Sequence, residues 1–288
     1  MVDNKVIEDS VVELIRRAVT QLPSDVLTSL ESATASESSD VARRELGLIL
    51  ENVREAGKCT LPMCQDTGIY VFFVTLGRFN VPGLEDAIGN GVRRATEEVP
   101  LRKNVVHPLT RKNTGDNTGR LMPYISYSVS DNDYIEITAM PKGAGSENMS
   151  ALAMLTPSQG VAGIKKFVLD TVVKAEGKPC PPTIIGVGIG GSSDVCMSLA
   201  KKALLRPAGS HNPDREIADL EVELLNMINC TGIGPMGLGG DTTALAVHVE
   251  YAYCHTASLP VGINIQCYAA RRATVRVYRD GKVEFRGE

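Results

Sequence analysis

The hydrophobic pattern of the first 57 residues is that of helices. Apolar residues recur at helical spacing over residues 6–19. Ser24-Asp25 and Ser39-Asp40 carry side chains that cap helix N-termini, and Gly57 is a typical helix stop. The pattern therefore predicts three helices, and no strand, in residues 1–57.

Shorter apolar runs in the next part of the chain indicate strands. Ile69–Val74 is continuous, β-branched and aromatic, which is typical of a buried strand. Tyr124–Val129 and Tyr134–Met140 alternate between apolar and polar residues, and Ser130–Asp133 between them has the composition of a turn. We therefore expect these two segments to pair with each other as a hairpin.

A long polar segment, Arg102–Gly119, follows a helix predicted at Leu84–Val99. It is rich in turn residues and poor in apolar ones, so we expect a loop. Long loops inside compact domains are often functional. We therefore include this segment in the search for a site.

The remaining pattern alternates helices with strands. It predicts helices at 160–173, 193–205 and 214–228, and strands at 183–189, 244–251, 261–267 and 274–278. The fold class expected is mixed α/β, with a helical N-terminal region and mixed, largely antiparallel sheets flanked by helices. Because no linker rich in Pro, Gly or Ser divides the chain, we expect one domain over residues 1–288.

Composition narrows the function. The chain of 288 residues has a formal charge of −4 and four histidines, so it lacks the basic footprint of a nucleic-acid-binding protein. No apolar run approaches the ~20 residues that a membrane span needs. Residues 1–5 lack the features of a signal or transit peptide. We therefore expect a cytoplasmic protein that binds neither nucleic acid nor membrane.

A glycine-rich segment, Gly186–Gly191, fits the G-x-G-x-x-G pattern between a strand and a helix. A dinucleotide site would also need a strand that ends in an acid about 20 residues later, and none follows. We therefore favour close helix–strand packing over nicotinamide or flavin binding.

Seven cysteines are an odd number without the spacing of a disulfide framework. Cys196 lies on a predicted helix, and a buried core thiol is the favoured interpretation for it and for Cys59, Cys230 and Cys254. Three others lie in loops or at strand ends: Cys64, Cys180 and Cys267.

These three cysteines suit a cubane iron–sulfur cluster with one iron free of protein better than a zinc ribbon, which uses C-x-x-C pairs. The alternative is that all seven thiols are inert. Asp66, two residues after Cys64, is a candidate acid or base, although an aspartate in this position is more often just a loop cap. His255 and Arg102 are candidate substrate contacts or ordinary surface residues.

Four blocks taken together resemble the class I, iron–sulfur-dependent fumarate hydratases. They are Cys64–Gly68, Lys142–Asn148, Cys180-Pro181-Pro182 and the run from His255 to Cys267. The likeness extends from about Cys59 onward, and the length fits the α subunit of the two-subunit form. The α subunits of L-tartrate dehydratases are similar too.

The resemblance implies that Cys64, Cys180 and Cys267 hold a [4Fe–4S] cluster whose open iron acts as a Lewis acid on a small dicarboxylate. It also implies that Asp66 and His255 are catalytic residues, with Asp66 in proton transfer. The residues that would contact substrate are Gln65, Arg102, Gly143 and His255.

Further carboxylate-binding arginines, a lysine and a threonine proposed as the base belong to a C-terminal domain in single-chain relatives. The resemblance therefore implies a β subunit that completes the site in a hetero-oligomer. The block Lys142–Asn148 resembles fumarate enzymes more than tartrate enzymes, so we expect fumarate and (S)-malate as substrates. A non-catalytic iron–sulfur redox or sensor protein is the alternative, although it would usually have four cysteine ligands.

Overall fold

The computed structural model describes residues 2–286, which form both helices and strands. The helices are α1 (Asn4–Thr20), α2 (Ser24–Ser36), α3 (Asp40–Cys59), α4 (Leu84–Glu98), α5 (Ala144–Glu147), α6 (Gly160–Ala175), α7 (Ser193–Ala203) and α8 (Arg215–Asn229). The strands are β1 (Ile69–Leu76), β2 (Tyr124–Val129), β3 (Tyr134–Lys142), β4 (Ala151–Leu155), β5 (Thr183–Gly190), β6 (Ala244–Ala252), β7 (Leu259–Gln266), β8 (Ala273–Tyr278) and β9 (Val283–Arg286).

The chain forms two compact units, each built from separated segments. The first unit comprises residues 2–24, 52–143 and 271–286, and the second comprises residues 25–51 and 144–270. Each unit has its own sheet and its own apolar core. The expectation of one domain over residues 1–288 stays a prediction.

The sheet of the first unit has the strand order β2-β1-β3-β8-β9, in which β1 and β2 are parallel and the other neighbours are antiparallel. Its core combines apolar faces of α1 and α4 with β1, β3 and β8. The helices α1 and α4 approach closely at Gly91, where a Cβ would lie 2.6 Å from Val11 Cβ. A larger residue at Gly91 would therefore separate the two helices.

The sheet of the second unit has the order β4-β7-β5-β6, in which β5 and β6 are parallel. The helix α7 packs on β5 and β7. A Cβ at Gly188 would lie 1.9 Å from Cys196 O, so glycine is required there for α7 to approach the sheet. This contact confirms the close-packing interpretation of the glycine-rich segment.

The mixed α/β class, the three N-terminal helices and the largely antiparallel sheets are confirmed. The predicted hairpin is wrong, because β1 lies between β2 and β3 and pairs with both. The helix expected to stop at Gly57 continues to Cys59. Within residues 2–286, no helix combines the length and apolar composition needed to cross a membrane.

Candidate functional site

The loop that carries Cys64, Gln65 and Asp66 is fixed to the first unit just before the cysteine. Met63 is 3% exposed, and its N–H donates to Val19 O at 3.0 Å. Asn52 Nδ2 donates to Met63 O at 2.8 Å. The loop therefore leaves α3 along a defined path, with Cys64 half-buried and Gln65 exposed.

The Asp66 carboxylate is oriented by two donors. The N–H of Gly68 donates to Asp66 Oδ1 at 3.0 Å, and Asn104 Nδ2 donates to the same oxygen at 3.3 Å. Asn104 Nδ2 also donates to Gly68 O at 3.0 Å. The other carboxylate oxygen, Oδ2, lies toward Gly143.

Gly143 follows β3, and its missing side chain leaves room for that carboxylate. A Cβ at Gly143 would lie 3.2 Å from Asp66 Oδ2 and 3.7 Å from Arg271 Nη2. A contact of 3.2 Å is tight, so a side chain here would displace the carboxylate. The family resemblance implies that Gly143 contacts substrate, and the fold gives it this second role.

The segment with Arg102 is joined to the same loop. The N–H of Arg102 donates to Thr67 Oγ1 at 3.1 Å, while the Arg102 side chain is exposed. Asn117, 1% exposed, accepts from Asn104 N–H at 2.7 Å and donates to Arg102 O at 3.1 Å. The long polar loop is therefore joined at Arg102 to Thr67, the neighbour of Asp66, and the expectation that this loop is functional stays a prediction.

A buried arginine that sequence analysis did not single out lies behind Asp66. Arg271 is 1% exposed, and its Nη2 donates to Asp66 O at 2.9 Å. Its Nε and Nη1 have no hydrogen-bond partner among residues 2–286. Burial raises the pKa of the nearby Tyr70, whereas the positive charge of Arg271 acts in the opposite direction.

In the second unit, the segments of Cys180 and Cys267 lie side by side. Cys180 has a φ of 56°, and its N–H donates to Gly177 O at 3.0 Å. Its carbonyl accepts from Tyr268 N–H at 3.1 Å, next to Cys267. The stiff proline-rich segment and the chain just after β7 therefore lie side by side at these two cysteines.

His255 lies in the exposed turn between β6 and β7 of the second unit. Its Nδ1 accepts from Ala257 N–H at 3.1 Å, and its carbonyl accepts from Ser258 N–H at 2.9 Å. This acceptor role leaves Nε2 as the nitrogen that carries a proton in the neutral ring. The imidazole therefore presents a donor outward, and its contact with substrate stays a prediction.

The seven cysteines are free, and their exposure separates them into three groups. Cys196 is buried, as predicted. The thiols of Cys59, Cys230 and Cys254 are exposed, so the prediction that they belong to the core is wrong. Each lies at a helix end or in a turn, where the chain leaves its core.

The remaining three, Cys64, Cys180 and Cys267, have intermediate exposure. Such thiols are reachable yet sheltered, which suits cluster ligands. The side chains of His, Cys, Asp and Glu across residues 2–286 form no group of three or more that could hold a metal ion. The assignment of the three cysteines to one cluster stays a prediction.

The profile of the family described as Fumarate hydratase (Fumerase) matches residues 8–276. The chain belongs to the fumarate hydratase family. This match covers the Asp66 loop, the polar loop, Gly143 and all seven cysteines, so the resemblance found in the sequence is confirmed.

Two relatives of this fumarate hydratase family member carry tartrate names. A Methanocaldococcus jannaschii protein, named provisionally as an L(+)-tartrate dehydratase subunit alpha, is 55% identical over 284 residues, covering 96% of this chain and 99% of that protein. The L(+)-tartrate dehydratase subunit alpha of Escherichia coli K12 is 36% identical over 264 residues, covering 91% and 87%. Both the family name and these names describe hydro-lyases.

Proposed function

We propose that this chain is the α subunit of a [4Fe–4S]-dependent hydro-lyase that interconverts fumarate and (S)-malate. The observation that carries the proposal is the setting of Asp66 in a member of the fumarate hydratase family. Gly68 N–H and Asn104 hold its Oδ1, and its Oδ2 lies toward Gly143, the side on which we place proton transfer. An acid or base needs this kind of fixed geometry before its pKa matters.

The chemistry of the three cysteine thiols supports an iron–sulfur cluster. Cys64, Cys180 and Cys267 provide three soft thiols of intermediate exposure, and none of them forms a disulfide. Three protein ligands leave one iron of a four-iron cluster open. When bound, such a cluster supplies a Lewis acid that lowers the basicity of a departing hydroxyl oxygen.

The chain's own residues then bind the substrate and move its proton. The exposed guanidinium of Arg102 holds one carboxylate with two hydrogen bonds. The amide of Gly143 binds a second substrate oxygen, and Gln65 and His255 donate further hydrogen bonds. Asp66 exchanges a proton through Oδ2 near the hydroxyl that leaves or enters.

We propose that a β subunit completes the site in a hetero-oligomer. Both relatives are named subunit alpha, and this chain matches 99% and 87% of their lengths. By the family resemblance, further carboxylate ligands and the catalytic base belong to the partner. The α chain alone is therefore expected to lack hydratase activity.

L(+)-tartrate is the second candidate substrate, because both relatives carry its name. Malate and tartrate differ by one hydroxyl group. A site built to hydrogen-bond that hydroxyl discriminates strongly, whereas a site without such a partner discriminates weakly. Fumarate remains the primary proposal because of the block Lys142–Asn148.

The test is anaerobic reconstitution of the α chain with iron and sulfide in the presence of its β subunit. Fumarate consumption is followed by ultraviolet absorbance, with L(+)-tartrate in parallel. Cys64→Ser, Cys180→Ser and Cys267→Ser should each abolish turnover and lower the iron content, whereas the exposed control Cys230→Ser should do neither. Turnover of tartrate alone would reassign the substrate. A four-cysteine cluster or activity without iron would overturn the proposal.

A further inference from the structure

Arg271 is unusual because its guanidinium is buried and, among residues 2–286, no carboxylate forms an ion pair with it. It is the largest of the fully buried side chains in residues 2–286, with 1% exposure. Among the described residues, its one hydrogen bond goes to Asp66 O, and Nε and Nη1 have no partner. Burying a guanidinium in this way carries a large desolvation free energy, so we expect a function that retains it.

Two other arginines show what a structural role looks like. Arg206 pairs with the buried carboxylate of Glu221, and Arg276 pairs with Glu136 while lying over the ring of Tyr134. Each has a carboxylate within hydrogen-bond distance. Arg271 instead donates to the backbone of the residue proposed to transfer the proton.

The Asp66 residue is therefore held from two directions. Asn104 and Gly68 N–H hold the carboxylate at Oδ1, and Arg271 holds the backbone carbonyl at 2.9 Å. Arg271 Nη2 would also lie 3.7 Å from a Cβ at Gly143. The guanidinium thus lies beside the two groups, Asp66 and Gly143, that define the proton-transfer position.

We propose that Arg271 is a positioning residue that fixes the Asp66 loop for proton transfer. This inference rests on the proposed function for its effect on turnover, but not for its effect on the loop. Arg271 is 1% exposed and its hydrogen bond goes to Asp66 O, so its loss is expected to act through the geometry of Asp66. Misplacement of a reacting group by about 1 Å lowers turnover on the order of a hundredfold.

The kinetic test uses the reconstituted complex of both subunits. Arg271→Ala is expected to lower kcat about a hundredfold and to change KM less than threefold, because substrate ligands are retained. Millimolar guanidinium should raise kcat of Arg271→Ala at least fivefold by refilling the space. Arg271→Met fills that space with an apolar chain, so guanidinium should not raise its kcat. The matched control Arg276→Ala, on β8, should leave kcat within twofold.

A second readout needs neither cluster nor activity. Cys64 lies two residues before Asp66, and Cys59 is exposed at the end of α3, so Cys59 serves as an internal reference. The measured quantity is the ratio of the iodoacetamide alkylation rates of Cys64 and Cys59 in the cluster-free chain. This ratio should be at least fivefold higher in Arg271→Ala and in Arg271→Met than in the parent. The control Arg276→Ala should leave this ratio unchanged.

The two readouts separate the possible failures. An unchanged ratio of Cys64 to Cys59 alkylation in both Arg271 variants would overturn the positioning role, whatever happens to turnover. A kcat of Arg271→Ala within threefold of the parent would overturn it as well. A parent complex inactive on fumarate and tartrate would refute the proposed function, while the alkylation ratio would still decide whether Arg271 holds the loop.

Discussion

Two buried charged side chains, Glu221 in the second unit and Arg271 in the first, differ in how many hydrogen bonds they form. Glu221 is 2% exposed and accepts from Arg206 Nη1 at 2.6 Å, Val249 N–H at 2.8 Å and Asn212 N–H at 3.0 Å. Arg271 is as deeply buried and has one hydrogen bond.

The hydrogen-bond partners of a buried charged side chain indicate whether its role is structural or functional. A charge with every lone pair occupied ties elements together, and its removal leaves its partners unpaired. A charge with unoccupied donors contributes less to stability than it costs in desolvation. The comparison therefore predicts that Glu221 matters to folding and Arg271 to turnover.

The largest effect is expected from Glu221→Ala. It leaves two backbone N–H groups and the guanidinium of Arg206 without their acceptor, which should lower the free energy of unfolding by about 3–5 kcal/mol. Urea denaturation measures this loss. The control is Glu223→Ala on the same helix, whose exposed pair with Lys165 should contribute less than about 1 kcal/mol. Equal losses in both variants would remove the distinction.

Gly143→Ala should lower turnover without unfolding the chain. Its Cβ would press on Asp66 Oδ2 from 3.2 Å, so kcat is expected to fall about tenfold, equivalent to about 1.4 kcal/mol. Gly89→Ala on α4 is the matched control, because nothing lies within 4 Å of its added Cβ. Steady-state kinetics on the reconstituted complex give the answer, and equal kcat in the two variants would contradict the role given to Gly143.

Arg271→Met tests whether the buried guanidinium contributes to the free energy of unfolding. The apolar chain fills most of the same volume, and the loss is one hydrogen bond to Asp66 O. We expect the free energy of unfolding to change by about 1 kcal/mol or less, despite the burial. Urea denaturation beside Glu221→Ala provides the test. A loss as large as that of Glu221→Ala would make Arg271 a structural residue.

The smallest effect belongs to a partly exposed charge, Asp116. Burial raises the pKa of its carboxyl, but hydrogen bonds from Thr118 N–H and hydroxyl, with the charge of Arg93, outweigh it, so the pKa lies below 3.8. A pKa lowered on folding stabilises the chain above pH 3.8, and this contribution is lost as the pH falls toward the folded pKa.

Asp116→Asn should therefore cost less than about 1 kcal/mol at pH 7, and the difference from the parent should shrink below pH 3.8. Urea denaturation at a series of pH values measures both. A difference that stays constant through this range would show that the carboxylate charge is not its source.

Local patterns predicted the elements well, because helical periodicity and capping residues act over a few positions. The range of α4 and the start of α3 follow the sequence closely. The sequence did not predict how β2 and β3 pair. The turn residues between them are a local signal, whereas the position of β1 between the two strands depends on the whole sheet. The strands β4 and β9 are short and carry little periodic signal.

The same limit applies to the candidate site. The Asp66 loop and Gly143 were found because they lie in recognisable blocks. Asn104 and Asn117 were missed because an asparagine in a polar loop looks like any turn residue. Arg271 was missed because its sequence position, 205 residues from Asp66, gives no sign that the two touch.

The first unit is built from three separated segments of the chain, and this sets the timing of its assembly during synthesis. The Thr138 and Thr274 hydroxyls that join β3 to β8 are 136 residues apart, so the middle of this sheet waits for its last strands. At ribosomal rates of 5–20 residues per second, β3 is exposed at one edge for roughly 7 to 27 s. The hydrogen bond from Arg271 to Asp66 O likewise forms only after residue 271 has been synthesised. A chaperone that shields an apolar strand edge would act in this interval.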